Sequence, residues 1–192
     1  MYCNQDYTLN YVHCKIVNMN ITAGKFKGQK ITPPDEKITR PTLSKVRMSV
    51  FNTLQSMINF EGASFLDMFA GSGIMGLEAV SRGFSKSIAI EKHPKAAQII
   101  KNNYKKFENA PQLITGDSLK IAPKLHEKFD VIYIDPPYFA GIYENSLAAV
   151  KEISGGIVIL EHVNDVDFQG YELIKQKKYG DKFITFLQKS RA

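Results

Sequence analysis

Apolar and polar positions along this chain follow two periods that take turns. Short runs rich in β-formers, Ser64–Phe69, Ser87–Glu91, Gln112–Thr115, Phe129–Ile134 and Ile157–Glu161, predict strands. Between them apolar residues recur at helical spacing, predicting helices over Ile74–Ser81, Lys95–Phe107, a short piece to about Leu125, and Tyr143–Ile153. Strands alternating with helices imply a parallel sheet covered on its faces. The end of the chain changes character. Glu172–Lys178 and Lys182–Gln188 alternate with period two around Tyr179-Gly180-Asp181, which reads as an antiparallel hairpin closing the sheet.

The beginning reads differently again. Residues 1–18 are polar, tyrosine-rich and without clear periodicity, and are expected to form a disordered extension; Met19 reads as a second candidate start. Ile21-Thr22-Ala23 and Gln29-Lys30-Ile31 flank Gly24–Gly28, predicting a small β-hairpin with a basic tip, and Pro33-Pro34 stops it. Pro41-Thr42 reads as the start of a helix over about Leu43–Ile58, with Val46, Val50, Leu54 and Met57 on one face and Lys45 and Arg47 projecting elsewhere. The expected organisation is a tail (1–18), a hairpin and helix (19–60) and an α/β domain (61–192).

The turn after the first long strand carries candidate chemistry. Gly71, Gly73 and Gly76 match G-x-G-x-x-G between a strand and a helix, a pattern that brings a nucleotide-like ligand against bare backbone at a helix N-terminus. Glu91 lies twenty positions after Gly71, at the end of the next strand, where a carboxylate can accept both hydroxyls of a ribose. Two ligand classes share these features, a dinucleotide such as NAD and S-adenosylmethionine. Asp67 favours the second: a carboxylate there can accept N–H groups of the glycine loop or reach an ammonium, whereas a pyrophosphate gains nothing from added negative charge.

Composition narrows the setting. Of 192 residues, 44% are hydrophobic and 23% charged, which suits one soluble globular domain. No apolar run reaches membrane-span length and no signal peptide is evident, so a cytoplasmic location is expected. Cys3 and Cys14 fit no zinc spacing, and neither a metal nor a disulfide is expected. The net charge of +6 favours a polyanionic partner. Lys25, Lys27, Lys30, Lys37, Arg40, Lys45 and Arg47 face only Asp35 and Glu36 in the same stretch, which makes it the candidate phosphate-contacting segment.

The most specific signal is Asp135-Pro136-Pro137-Tyr138 at the end of the strand Phe129–Ile134. Ligands of open parallel sheets bind beyond the carboxyl ends of the strands, which puts this turn beside the glycine loop. The prolines fix φ and lack N–H donors, so Asp135 and the Pro136 carbonyl can accept both hydrogens of an amino group while Tyr138 stacks on a base. Methylating an exocyclic amine needs this grip, because the nitrogen lone pair is conjugated into the ring and has to be turned toward the methyl donor. Asp117-Ser118, after the third strand, reads equally as an adenine contact or a helix cap. Lys92 follows Glu91 and can flank the adenine. An antiparallel closing hairpin is a feature of Rossmann-like methyltransferases rather than of NAD domains.

From Met19 onward the chain resembles the bacterial 16S rRNA guanine-N2 methyltransferase family (RsmD-like). The resemblance covers Ile21–Gly28, Thr39-Arg40-Pro41-Thr42, Val46-Arg47 with Phe51-Asn52, Asp67–Gly73, Glu91-Lys92 and Asp135-Pro136-Pro137-Tyr138. It implies a Rossmann-like class I S-adenosylmethionine-dependent fold, a mostly parallel seven-stranded sheet with a C-terminal antiparallel hairpin, plus a small N-terminal β-hairpin. Residues 61–192 would be the methyltransferase domain. By resemblance Asp135 through Tyr138 are catalytic and contact a flipped guanine. Asp67, Phe69, Ala70, Gly71, Gly73, Glu91, Lys92, Asp117 and Ser118 would hold the cofactor. Lys25, Lys27, Arg40, Thr42 and Arg47 would meet the RNA. The implied partner is 16S rRNA in the small subunit or an assembly intermediate; a monomer is the default expectation. Ser44-Lys45 departs from the family's usual Asp-Arg, and lysines replace arginines in the hairpin. A DNA amino-methyltransferase uses the same turn but normally carries a recognition domain for which this chain has no room. An NAD-dependent oxidoreductase leaves Asp67 and Asp135–Tyr138 without a task, and an inactive RNA-binding assembly factor predicts affinity without methyl transfer.

Overall fold

The computed structural model describes residues 19–35, 42–137 and 141–190. The expected tail with its two cysteines, Arg40 and Tyr138 lie outside the described residues. In chain order the elements are β1 (Met19–Asn20), β2 (Lys30–Ile31), α1 (Ser44–Gln55), β3 (Ser64–Asp67), α2 (Ile74–Ser81), β4 (Lys86–Glu91), α3 (Pro94–Tyr104) and β5 (Gln112–Thr115). Then come α4 (Ser118–Ile121), which tightens into a 3-10 turn over Ala122–Lys124, β6 (Phe129–Ile134), α5 (Ile142–Val150), β7 (Ser154–His162), β8 (Tyr171–Tyr179) and β9 (Lys182–Lys189).

Seven strands form one sheet in the order β5-β4-β3-β6-β7-β9-β8. Strands β5 through β7 in that order are parallel, and β9 runs antiparallel to both β7 and β8. This is the class I methyltransferase architecture. The chain travels outward from β3 through β4 to β5, then returns to β6 on the other side of β3. The carboxyl ends of β3 and β6 therefore border the switch point where open α/β sheets bind ligands.

Strand alternation divides the core. Phe65, Val131 and Tyr133 face α1, α2 and α3, while Leu66, Ile132 and Ile134 face α4 and α5. On the first face, Phe51 of α1 stacks on Phe65 with centroids 5.8 Å apart, and Phe60 stacks on Phe84 at 4.7 Å. Aromatic pairs of this kind add about 0.5–1.5 kcal/mol beyond area burial, so this cluster anchors α1 to the sheet. Among the described residues no helix is long and apolar enough to cross a membrane.

The N-terminal segment departs from expectation in three ways. First, the strand pairing joins Met19 to Ile31 and Asn20 to Lys30 rather than Ile21–Ala23 to Gln29–Ile31, and the tip is docked on α2. Gly24 has φ +81°, and a Cβ there would lie 1.8 Å from the carbonyl oxygen of Ser81, so only glycine fits. The amide of Lys25 donates to that oxygen at 2.7 Å, the amide of Phe26 donates to the Ser81 hydroxyl at 2.9 Å, and buried Phe26 meets Phe107 edge-on.

Second, α1 spans Ser44–Gln55, and its N-cap is Leu43, which makes no side-chain cap bond; Thr42 does not cap it. Third, Arg47 does not project. It is 1% exposed, and its guanidinium donates to Glu78 Oε1 at 3.2 Å, to the carbonyl oxygens of Thr42 at 2.5 Å and Asn20 at 2.7 Å, and to Ser44 Oγ at 3.1 Å. Glu78, fully buried on α2, also accepts from Thr22 and Arg82. A buried charge needs such partners, and here they tie hairpin, α1 and α2 together.

Candidate active site

Loops at the carboxyl ends of β3, β4, β5 and β6 enclose one cleft of about 720 Å³. Its floor begins where β3 ends. Asp67 is the last residue of that strand, and Ala70 stays tied to the sheet by donating its amide to the Ile90 carbonyl at 2.9 Å. Gly71 (φ +56°) and Gly73 (φ +77°) take left-handed backbone that turns the chain into α2. At Gly73 a Cβ would meet the Tyr104 hydroxyl at 2.7 Å, the same hydroxyl that donates to the Gly73 carbonyl at 3.0 Å. Gly76 lies inside α2, where a Cβ would press on Pro111 at 3.0 Å; it lets helix approach sheet. The loop thus presents the N-terminus of α2 to the cleft.

Glu91 and Asp67 exchange part of their expected roles. The Gly71 amide donates to Glu91 Oε2 at 2.8 Å and the His93 amide to Oε1 at 2.7 Å, so Glu91 holds the glycine loop. Each carboxylate oxygen has two lone pairs, so a ribose hydroxyl can still be accepted beside these bonds. Asp67, expected either to hold that loop or to reach an ammonium, is 1% exposed and neither of its oxygens has a hydrogen-bond partner of normal geometry. Burial, reinforced by the charges of Glu91 and Asp135, raises its carboxyl from 3.8 to about 8. The backbone amides of Gly76 and Phe69 act the other way, favouring its charged form. An orphaned carboxyl beside the charges of Glu91 and Asp135 suits a cationic ligand, whose charge would favour its ionised form.

The opposite wall comes from β5 and α4. Asp117 Oδ1 caps α4 by accepting the Leu119 amide at 3.1 Å, and Lys92 Nζ lies 3.0 Å from Oδ2. The hydrogen bond from Lys92 lowers the Asp117 carboxyl below its usual range. The Ser118 hydroxyl donates to the Met68 carbonyl and is engaged inside the protein. Phe69, Ala70, Lys92, Asp117 and Ser118 all border the cleft, as does Thr42.

Asp135, Pro136 and Pro137 close the fourth side, directly after β6, so the structure brings the glycine loop, Glu91 and the Asp-Pro-Pro turn to one cavity. Three residues missed by sequence reasoning stand beside that turn, two of them, Tyr133 and Lys182, lining the cleft. Lys182 Nζ is 3.5 Å from Asp135 Oδ1 and 3.0 Å from Glu161 Oε2, and the Tyr133 hydroxyl donates to the other oxygen of Glu161. Burial, with the charge of Glu161 next, pushes the Tyr133 phenol up, so it stays a donor. Only the register of β9 on β7 reveals this group; no spacing along the chain carries it.

Of the residues expected to meet RNA, Thr42 borders the cleft, whereas Lys25, Lys27 and Arg47 do not. Lys25 and Lys27 sit on the docked tip against Ser81, the last residue of α2, whereas the cofactor-side loop meets its first. At 1.5 Å rise per residue, the eight residues of α2 separate the two by about 12 Å. Lys25 Nζ also pairs with Glu108 at 2.6 Å on the surface. Arg47, as described, is buried and unavailable to phosphates. Among the described residues no group of three or more His, Cys, Asp or Glu side chains is placed to hold a metal ion.

Comparison with known proteins agrees with this geometry. Residues 19–188 match the family model described as conserved hypothetical protein 95. The "Putative rRNA methyltransferase YlbH" of Bacillus subtilis is 34% identical over 158 residues, spanning 78% of this chain and 85% of that one. "Ribosomal RNA small subunit methyltransferase D" of Escherichia coli is 30% identical over 135 residues, spanning 70% and 67%. A solved structure from Haemophilus influenzae, described as a "putative methylase", superposes with a TM-score of 0.74 at 25% identity, over 91% of this chain and 99% of that one.

Proposed function

This chain belongs to the RsmD-like family of conserved hypothetical protein 95, and on that premise we propose that it methylates the exocyclic N2 of a guanine in 16S rRNA, with S-adenosylmethionine as methyl donor. The observation that carries this reading is the meeting, at the ends of neighbouring strands β3 and β6, of an unbonded buried carboxylate with the Asp135-Pro136-Pro137 turn.

The residues fit the donor. When bound, S-adenosylmethionine supplies an electrophilic methyl group on a sulfonium. Asp67 offers its orphaned oxygens to positive charge, Glu91 has lone pairs for ribose hydroxyls, and Phe69, Ala70, Gly71 and Gly73 shape the loop beside them. Lys92, Asp117 and Ser118 border the end suited to an adenine. A pyrophosphate would face Asp67, Glu91 and Asp135 together, which disfavours NAD.

Asp135 and the Pro136 carbonyl accept the hydrogens of the guanine amine. This grip turns the nitrogen lone pair out of conjugation and toward the cleft, and the chain's contribution is largely positioning. The proton that the amine gives up passes to Asp135 or to water. Lys25 and Lys27, at the far end of α2, hold RNA away from the reacting base. The setting is a cytoplasmic small subunit or its assembly intermediate, approached by a monomer.

The test supplies isotope-labelled S-adenosylmethionine to small-subunit particles from cells lacking the gene. Label is expected in 16S RNA with the native chain and not with Asp135→Ala, although that variant should bind S-adenosylhomocysteine almost as tightly. No label from the native chain would overturn the proposal.

A further inference from the structure

The Asp-Pro-Pro turn explains how an amine is gripped, but adenine, cytosine and guanine all carry exocyclic amines. Selection therefore needs a group that reads a second atom of the base. Lys182 is placed to be that group. It is the first residue of β9, pairs with Tyr179 across the hairpin, and its neighbour Phe183 sits opposite His162 at the cleft end of β7. Its side chain is 23% exposed and borders the cleft, with Nζ between Asp135 Oδ1 at 3.5 Å and Glu161 Oε2 at 3.0 Å. Glu161 is itself 1% exposed and fixed on its other side by Tyr133. This ammonium is held by a buried anchor and borders the cleft beside Asp135.

Guanine presents its N2 amine, N1–H and O6 side by side. A carboxylate that accepts from N2 and N1 brings a cation beside it against O6. Adenine carries an amine donor at the position of O6 and would meet the ammonium donor to donor. Cytosine has a ring acceptor next to its amine and would face the carboxylate with a lone pair. An ammonium turns about its terminal bond, so an N–H shared with a carboxylate can be given to a base oxygen arriving beside Asp135. We infer that Lys182 is a specificity-determining residue, donating to O6 of the target guanine while Asp135 accepts from its N1 and N2 edge. This rests on the methyltransferase reading above and adds to it the means by which guanine is chosen.

The test uses small-subunit particles reconstituted with RNA carrying guanine or 6-thioguanine at the methylated position. The second base keeps the N2 amine and N1–H and replaces O6 with sulfur, a weak hydrogen-bond acceptor. If Lys182 donates to O6, Lys182→Met should lower the rate on guanine far more than the rate on 6-thioguanine, so the ratio of the two falls about tenfold to a hundredfold. Lys182→Arg, which keeps a donor, should retain part of the preference. Because the measure is a ratio within one preparation, loss of folded protein cancels. Lys182→Met combined with Glu161→Gln removes the buried charge that the single change strands, and should show the same fall. An equal loss on both bases would mean that Lys182 only positions Asp135, and would overturn the inference. No methyl transfer to guanine by the native chain would instead overturn the reading beneath it.

Discussion

The carboxylate of Glu91 holds the amide of Gly71 at 2.8 Å, linking the end of β4 to the turn that follows β3. The residue expected to meet the ribose therefore also sets the shape of the loop beside it. A ligand on Glu91 meets a loop already held in one conformation, which lowers the ordering cost of binding.

Glu91→Ala should therefore weaken S-adenosylhomocysteine binding twice over, through the lost hydroxyl acceptor and through a looser loop. Hydrogen bonds to a charged group contribute about 1.5–3 kcal/mol, so the dissociation constant should rise about 10–100-fold. Glu91→Gln should also lose affinity, because its NH₂ group would face either the Gly71 or the His93 amide. Titration calorimetry reads both. Affinities within about twofold of the native chain would show that the bond to Gly71 does not organise the site.

Asp67 makes a pH-dependent prediction. Its carboxyl is near 3.8 unfolded and raised to about 8 in the folded cleft, so between those values the native state holds a proton that the unfolded state has lost. Stability from this group is accordingly greatest at low pH, falls as pH rises from about 4 to about 8, and then levels off. Asp67→Asn carries no titrating proton. Its melting temperature relative to the native chain should climb across that window, while its affinity for S-adenosylhomocysteine drops. A difference in melting temperature that does not change with pH would contradict the assignment.

Two basic groups once placed together on the RNA side should now separate. Lys25→Ala with Lys27→Ala should weaken RNA binding and reduce its salt slope by up to about 2, leaving turnover at saturating RNA unchanged. Arg47→Met should leave the salt slope alone and cost about 3 kcal/mol of stability, the low end for a broken buried pair because Arg82 still faces Glu78. Salt-titrated binding and denaturant unfolding distinguish them. A reduced slope in Arg47→Met would return that residue to the RNA surface.

The pattern along the chain was enough for the sheet and for much of the cleft. The bounds of α2, β5 and β6 agree with those read from periodicity, because each is an apolar run cut off by glycine, proline or charge. Asp135 and Glu91 share one cavity because each lies at a strand end, which their runs already marked. What stayed hidden depends on contacts distant in sequence. Arg47 reads as a surface residue until Glu78, 31 positions on, is seen to be its partner. The hairpin tip reads as a free basic loop until Gly24 is found against Ser81. Lys182 has no local signature, since its reach to Asp135 follows from the antiparallel pairing of β9 with β7.

The central claim is that Asp135 grips a guanine amine for methylation, and nucleoside mass spectrometry of 16S RNA tests it most directly. In cells lacking the gene, N2-methylguanosine should fall by one residue per small subunit, return with the native chain, and stay absent with Asp135→Ala. An N2-methylguanosine content unchanged by the deletion, or restored by Asp135→Ala, would contradict the account.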